Sequence, residues 1–509
     1  MFNKKSLILL SLVLIKFVMH YFLIDPSYDL HRDEYLHLDQ AKHLAWGFTS
    51  VPPVTSWFSF IILKLGNGIF WVKFFPVLFG ALTMVLTWKI AEALGGGLFA
   101  MFIATTAVLL SAILRINILF QPNSFEVLSW TALYYTFIQY IVTGKNKWLY
   151  LTGIMIGFGF LNKYNIIFVL LGLLPAVLLT PERKLFANKH FYYAMLLALI
   201  IVSPNLIWQV QNNFPVIQHM KELNETQLVN VNRGDFIKEQ ILYYLNSILL
   251  LIAAFISFFA YAPFEKFRLF FWGYVFTMAL YIYLQAKGYY AIGLYPVLLA
   301  FGAVYVEYIS RSGWKIYLRP ALFLIQVLMV ITLIRIGFPT ASPEKLQAKL
   351  PMYKKFGLLR WEDGKDHALP QDFADMQGWS ELAKKVDSVY ASIPDKEHTI
   401  VWCDNYGQAG AINYYSRFKD INALTLNADY IDWIPINEKE IKNIVLVQEP
   451  KDDDPERKRE RQFFKTVSNA GRIENKYARE YGAGIYLLLD ATTSINDILR
   501  KEIKEKKAR

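Results

Sequence analysis

The chain has 509 residues, of which 55% are hydrophobic, 16% aromatic and only 19% charged, with a mean hydropathy of +0.28. This is too apolar for an ordinary soluble domain and reads as an integral membrane protein. The net charge of +11 does not mark a nucleic-acid partner, because Lys and Arg lie in short links between apolar runs, where they set topology. A single cysteine, Cys403, excludes an intramolecular disulfide framework.

The N-terminal MFNKKSLILLSLVLIKFVMHYFLI has a basic start and an apolar stretch of roughly 19 residues with no small-residue cleavage site after it. It reads as an uncleaved first transmembrane helix with Lys4 and Lys5 in the cytoplasm. Further apolar segments fall near 69–90, 98–114, 122–142, 148–161, 163–180, 190–210, 240–262, 267–286, 289–309 and 316–338. About eleven spans are therefore expected, and the two around Asn162 are short enough to be one broken pair. With the N-terminus inside, the inside links hold 13 Lys and Arg in about 49 positions and the outside links 9 in about 86. That bias agrees with the positive-inside rule. An odd number of spans puts everything after 338 outside.

The fold expected is thus a polytopic α-helical membrane domain over 1–338, with larger extracytoplasmic loops at 25–68 and 211–239. A soluble extracytoplasmic α/β domain follows over 339–509, its boundary marked by Pro339, Pro343 and Pro351. Within it, 379–393 and 406–418 have helical character, while 398–403, 443–448 and 484–490 read as strands. The KEIKEKKAR terminus reads as a charged helix or frayed tail without functional weight.

The stretch DLHRDEYLHLDQAKHLAWGF (29–48) places many charges directly after the first membrane helix. Tyr35, Leu38, Ala41, Leu44 and Ala45 recur at helical spacing, which predicts an interfacial helix over 34–46 anchored by Trp46 and Phe48. VPPVTSW (51–57) then turns the chain back. Asp33 and Glu34 suit a helix start, where carboxylates meet the positive end of the dipole. They also share the outer face with Arg115, Asn117, Glu126, Asn162, Lys163, Lys287, Tyr289 and Tyr290, and ionisable groups at a bilayer surface often mark substrate paths. Lys163 also suits a cation that snorkels to the interface, and Tyr289 and Tyr290 an aromatic belt. Carboxylates with scattered cations fit an enzyme that binds an anionic lipid headgroup and needs a base.

DLHRDEYLHLDQAKHLAWGF followed by VPPV, then LFQPNSFEVLSW, GFGFLNKYNIIF, KGYYAIGLYPVLLAFGA and WCDNYGQAGAINYYSRF, resembles the bacterial branch of the GT-C superfamily of membrane glycosyltransferases. That branch includes relatives of the protein O-mannosyltransferases and of the aminoarabinose transferase that modifies lipid A. The resemblance implies an inner-membrane enzyme that moves a sugar from a polyprenyl-phosphate carrier, with inversion, to a protein, lipid A or envelope-glycan acceptor outside the membrane. It implies that Asp33 is the catalytic carboxylate. Glu34, Arg32, Arg115, Glu126, Lys163, Lys287, Tyr289 and Tyr290 are then the substrate-binding candidates, Lys163 foremost for the lipid phosphate. The chain departs from its relatives in reading Val51-Pro52-Pro53 for their His-Pro-Pro, and Asn123 where many carry an aspartate. Glu126 lies one turn later on nearly the same face.

His31, His37 and His43 show no metal-ligand spacing, so no metal and no cofactor are expected; the lipid-linked sugar is substrate. The turn in WCDNYGQAGAINYY could cradle an anion, and this segment reads as an acceptor-docking or lid element or as a structural cap. A flippase of lipid-linked sugars is the alternative function, and it predicts paired charges in mid-membrane and internal repeats.

Overall fold

The computed structural model describes residues 3–226, 229, 231–437, 439–450 and 454–508, and the chain divides into two compact units. The first comprises Met1–Ile24, Ala45–Phe58 and Phe70–Thr340, and the second Asp25–Leu44, Ser59–Ile69 and Ala341–Arg509.

Among its described residues the first unit is helical, and most of its helices fall where the apolar segments predict them, whereas Pro215–Thr226 and most of Arg233–Tyr243 lie in the expected loop 211–239. Lys4–Tyr21 opens it, capped by the Asn3 side chain on the Ser6 N–H. Ile69–Ala93, Pro122–Thr143, Lys147–Asn162, Ile166–Leu178, Lys189–Gln211, Ile248–Ala260, Arg268–Tyr283, Tyr295–Ile309 and Leu318–Gly337 follow. In lipid, helices associate by close backbone approach rather than by hydrophobic burial. Gly302 shows this: a Cβ there would lie 1.9 Å from the Leu250 carbonyl oxygen, so only glycine lets Tyr295–Ile309 meet Ile248–Ala260.

Among the described residues, four helices are long and apolar enough by themselves to cross a bilayer: Ile69–Ala93, Lys189–Gln211, Gly288–Ile309 and Gly313–Gly337. Two pairs bent by 104° and 57°, Ile166–Leu178 with Pro181–Ala187 and Arg233–Tyr243 with Leu245–Ala260, raise the number to six. The other expected spans give shorter or more polar helices. Leu98–Leu109 has 12 residues and Arg268–Tyr283 has 16, while Lys4–Tyr21 carries Lys16 in its interior. The segments around Asn162 form two separate helices, broken at residues 163–165.

The second unit contains a five-stranded sheet in the order β2-β1-β3-β5-β4, where β1 is Thr399–Cys403, β2 Ala423–Leu424, β3 Asn443–Gln448, β4 Phe464–Arg472 and β5 Gly484–Ala491. β1 runs parallel to β2 and β3, and β5 runs antiparallel to β3 and β4. β3 lies at the centre and is almost wholly buried, as a strand covered on both faces must be. One face, with Ile400, Ile444, Leu446, Val467 and Leu488, is covered by Ile495 and Leu499 of the terminal helix Ile495–Ala508. The charged terminus therefore has a packing role, with its apolar residues spaced one turn apart.

The first loop does not form an interfacial helix as its sequence predicts. Its helical part is Arg32–Asp39 with a 3-10 turn Gln40–Lys42, and Tyr35, Leu36, Leu38 and Ala41 are buried. Their partner is protein rather than lipid. The helix packs on Tyr406–Tyr415, so 25–44 belongs to the same unit as the sheet instead of to the membrane helices. Asp29 fixes the approach by accepting the Trp379 and Ser380 N–H groups at the start of helix Trp379–Ala391. Phe48 is buried, while Leu44, 48% exposed, and Trp46, 49% exposed, stay at the surface.

Candidate functional site

Two polar constellations stand out, one in each unit. In the second unit, helix Arg32–Asp39 begins with a capping box: the His31 ring accepts the Asp33 N–H, and the Glu34 carboxylate accepts the His31 N–H at 2.7 Å. Glu34 is fully buried in that role, which is the helix-start reading of this residue. Asp33, one position earlier, points differently. Its side chain is 38% exposed, and its Oδ1 accepts a hydrogen bond of 2.7 Å from the Tyr406 hydroxyl. Arg32 lies with its guanidinium carbon 4.5 Å above the Tyr406 ring.

Buried carboxylates surround the pair, each with its own partners. Asp375 is ion-paired to Arg479 at 3.0 Å and sits 3.7 Å from the His31 ring. Glu480 accepts from Asn405 and Gln408. Burial pushes the Asp375 and Glu480 carboxyls up from their ordinary values, the neighbouring arginines opposing it. Burial acts on Asp33 in the same direction, but His31, Arg32 and the Tyr406 hydroxyl together outweigh it and hold its carboxyl below the ordinary range. Asp33 is thus a partly exposed carboxylate, tied to the Tyr406 hydroxyl and held below the ordinary carboxylate range, beside carboxylates held in ion pairs and hydrogen bonds of their own.

In the first unit, Lys163 breaks the chain between two helices and turns its ammonium onto the start of helix Pro122–Thr143. It donates to Asn123 Oδ1 at 2.9 Å and to Glu126 Oε2 at 3.0 Å. The Tyr290 and Tyr289 rings lie 4.6 and 5.2 Å from the same ammonium. Asn165 donates to the other Glu126 oxygen at 2.8 Å and accepts from the Tyr281 hydroxyl. Three of the expected residues, Glu126, Tyr289 and Tyr290, therefore converge on a fourth, the Lys163 ammonium, which stays 20% exposed. Arg115 lies half-buried on the short helix Ile113–Ile116, and Lys287 half-buried just before the 3-10 segment Gly288–Leu294 that carries both tyrosines.

His31, Asp372 and Asp375 each bring a potential ligand atom within 4.8 Å of the others. Arg479 already supplies the positive charge to Asp375, and we read the cluster as an ion-pair network. His43 stacks on Trp433 and His37 meets Gln40, so these rings too have protein partners. The N-terminus of helix Tyr406–Tyr415 is capped by Asn405 on the Gln408 N–H. Tyr406 is the site residue that sequence reasoning missed: it lies 373 positions from Asp33, and nothing local in WCDNYGQAGAINYY announces such a contact.

Fold and sites define a multi-pass helical membrane protein carrying a partly exposed carboxylate on one unit and a tyrosine-covered cation on the other. Residues 50–208, which include Glu126 and Lys163, match the family model described as dolichyl-phosphate-mannose-protein mannosyltransferase. The lipid A galacturonosyltransferase RgtD of Rhizobium johnstonii is 24% identical over 232 residues, 44% of this chain. The match spans only 47% of that relative's length. ArnT from Cupriavidus metallidurans, solved bound to undecaprenyl phosphate, superposes with a TM-score of 0.61 at 12% identity, over 94% of this chain and 97% of that one. The same protein in its apo state gives a TM-score of 0.59. The chain has the GT-C fold, and its resemblance to the GT-C membrane glycosyltransferases is borne out.

Proposed function

We propose that this protein transfers a sugar from a polyprenyl-phosphate carrier to an acceptor hydroxyl or phosphate outside the cytoplasmic membrane, with inversion at the anomeric carbon. The observation that carries this reading is Asp33: a carboxylate whose side chain is 38% exposed and whose orientation is fixed by a hydrogen bond from the Tyr406 hydroxyl. Asp33 takes the proton of the acceptor hydroxyl as that oxygen forms its bond to the anomeric carbon. The bond from that carbon to the carrier phosphate breaks, and the phosphate leaves with the electron pair. A general base contributes roughly 100- to 10,000-fold to such a step. The leaving group is already a stable anion, so cations rather than an acid assist it. Lys163 has that role, with Arg115 and Lys287 as further cations and Tyr289 and Tyr290 for sugar and phosphate. Arg32 steadies charge beside the base.

The topology that goes with this reading has about eleven spans in the inner membrane, the N-terminus in the cytoplasm and residues 339–509 outside. The match to a lipid A galacturonosyltransferase supports lipid A as an acceptor class, with protein and envelope glycan as the others. The experiment supplies purified protein in proteoliposomes with radiolabelled polyprenyl-phosphate sugars and lipid A, protein or glycan acceptors. Label passing to an acceptor with release of polyprenyl phosphate supports transfer. Intact labelled lipid crossing the bilayer without cleavage establishes the flippase alternative instead.

A further inference from the structure

The segment WCDNYGQAGAINYY forms β1, a turn and helix Tyr406–Tyr415, and its contacts with the acidic loop follow a pattern. The helix runs alongside Arg32–Asp39 and is tied to it at both ends. At one end the Tyr406 hydroxyl donates to Asp33. About two turns on, Asn413 donates to Asp39 Oδ2 at 2.7 Å, and the Tyr430 hydroxyl donates to the same oxygen. Between the ties the two backbones nearly touch: a Cβ at Gly410 would lie 2.6 Å from Tyr35 Cβ, and one at Gly407 would lie 3.3 Å from Arg32 Cβ. Asn405 caps the helix and, with Gln408, is anchored on the buried Glu480, so the base of Tyr406 is rigid.

We propose that Tyr406 is a positioning residue for glycosyl transfer: its hydroxyl fixes the Asp33 carboxylate for proton abstraction, and its ring holds Arg32 beside it. This rests on the reading of Asp33 as the base. Burial and the neighbouring Asp33 carboxylate push the Tyr406 phenol well above its ordinary value, so it stays a donor throughout the working pH range. The groups that set the Asp33 charge are His31, Arg32 and His37 from its own segment, and Tyr406 and Asp375 from the segments packed on it. The C-terminal segment then supplies part of the catalytic apparatus rather than a cap or an acceptor dock.

The test compares Tyr406→Phe with Asn413→Ala, which cuts the other tie, in full-length protein whose folding is followed by thermal unfolding. Tyr406→Phe keeps the ring under Arg32 and is expected to lower kcat about 10- to 100-fold, the scale of a misplaced catalytic group. The KM for donor should stay within about twofold, and the acid limb of the pH profile should move to higher pH, because a donor that favours the carboxylate is lost. Asn413→Ala should leave that limb in place. A 3-fluorotyrosine at position 406, a more acidic donor, should move the limb the opposite way; it also serves if the Phe variant does not fold. Wild-type kcat and pH profile in Tyr406→Phe, or equal losses with unmoved limbs in Tyr406→Phe and Asn413→Ala, would overturn the proposal. Undiminished transfer by Asp33→Asn would instead overturn the base reading on which it rests.

Discussion

Asp33 and Glu34 are adjacent, chemically alike and differently used. The helix N-terminus consumes Glu34 as a cap and leaves Asp33 to be tuned by its neighbours. Because the folded carboxyl of Asp33 is depressed, it favours folding above its unfolded value near about 3.9, and that contribution fades as pH falls through the folded value. The account therefore expects transfer to show no ionisation of Asp33 between pH 5 and 8, with its acid limb below the ordinary carboxylate range. A limb near neutrality that disappears in Asp33→Asn would contradict it. Lys163 offers a second test at this scale. Removing it leaves the buried Glu126 without its cation, a loss of about 2 kcal/mol once partial exposure is discounted. Thermal unfolding of Lys163→Met should show this cost, and adding Glu126→Gln should recover most of it. The KM for the lipid donor should stay raised in both, since neither variant has the cation.

Helix Tyr406–Tyr415 is where element-scale packing decides the site. Gly410→Ala inserts a methyl group against Tyr35, and over-packing of this kind costs about 1–3 kcal/mol. Differential scanning of the second unit's transition, and protease sensitivity at 25–44, should both report the loosened pair of helices. At this scale most of the fold was legible in the sequence. Apolar runs located most of the helices of the first unit, and HTIVWC, NIVLVQ and GIYLLLD located β1, β3 and β5, because central strands are largely apolar. β4 was not, since FKTVSNAGR buries little beyond Phe464 and Val467 on an edge, with a bulge near Gly471. β2 is two residues long. Helix Arg32–Asp39 was legible as a helix but not in its partner, because an apolar face reads alike whether lipid or protein covers it.

At the scale of the whole molecule, the candidate residues were readable as types while their grouping was not. Lys163, Glu126, Tyr289 and Tyr290 gather because three separate segments meet, and Asp33 meets Tyr406 across most of the chain. Charge bias along the links, by contrast, is a property that sequence carries directly, and it yields a topology prediction. In a Cys403→Ala background, Lys465→Cys on β4 should react with a membrane-impermeant maleimide in intact spheroplasts. Lys315→Cys in an inside link should react only after permeabilisation; the reverse pattern would invert the assigned orientation.

The central claim, that an ionised carboxylate drives sugar transfer from a lipid phosphate, is tested most directly by one comparison. Wild type and Asp33→Asn, matched in thermal unfolding, are incubated with a radiolabelled polyprenyl-phosphate sugar and an accepted acceptor, and product is counted in a single turnover. The account predicts a fall of at least about 100-fold in the transfer rate with donor binding retained. An asparagine variant that transfers at the wild-type rate would contradict it.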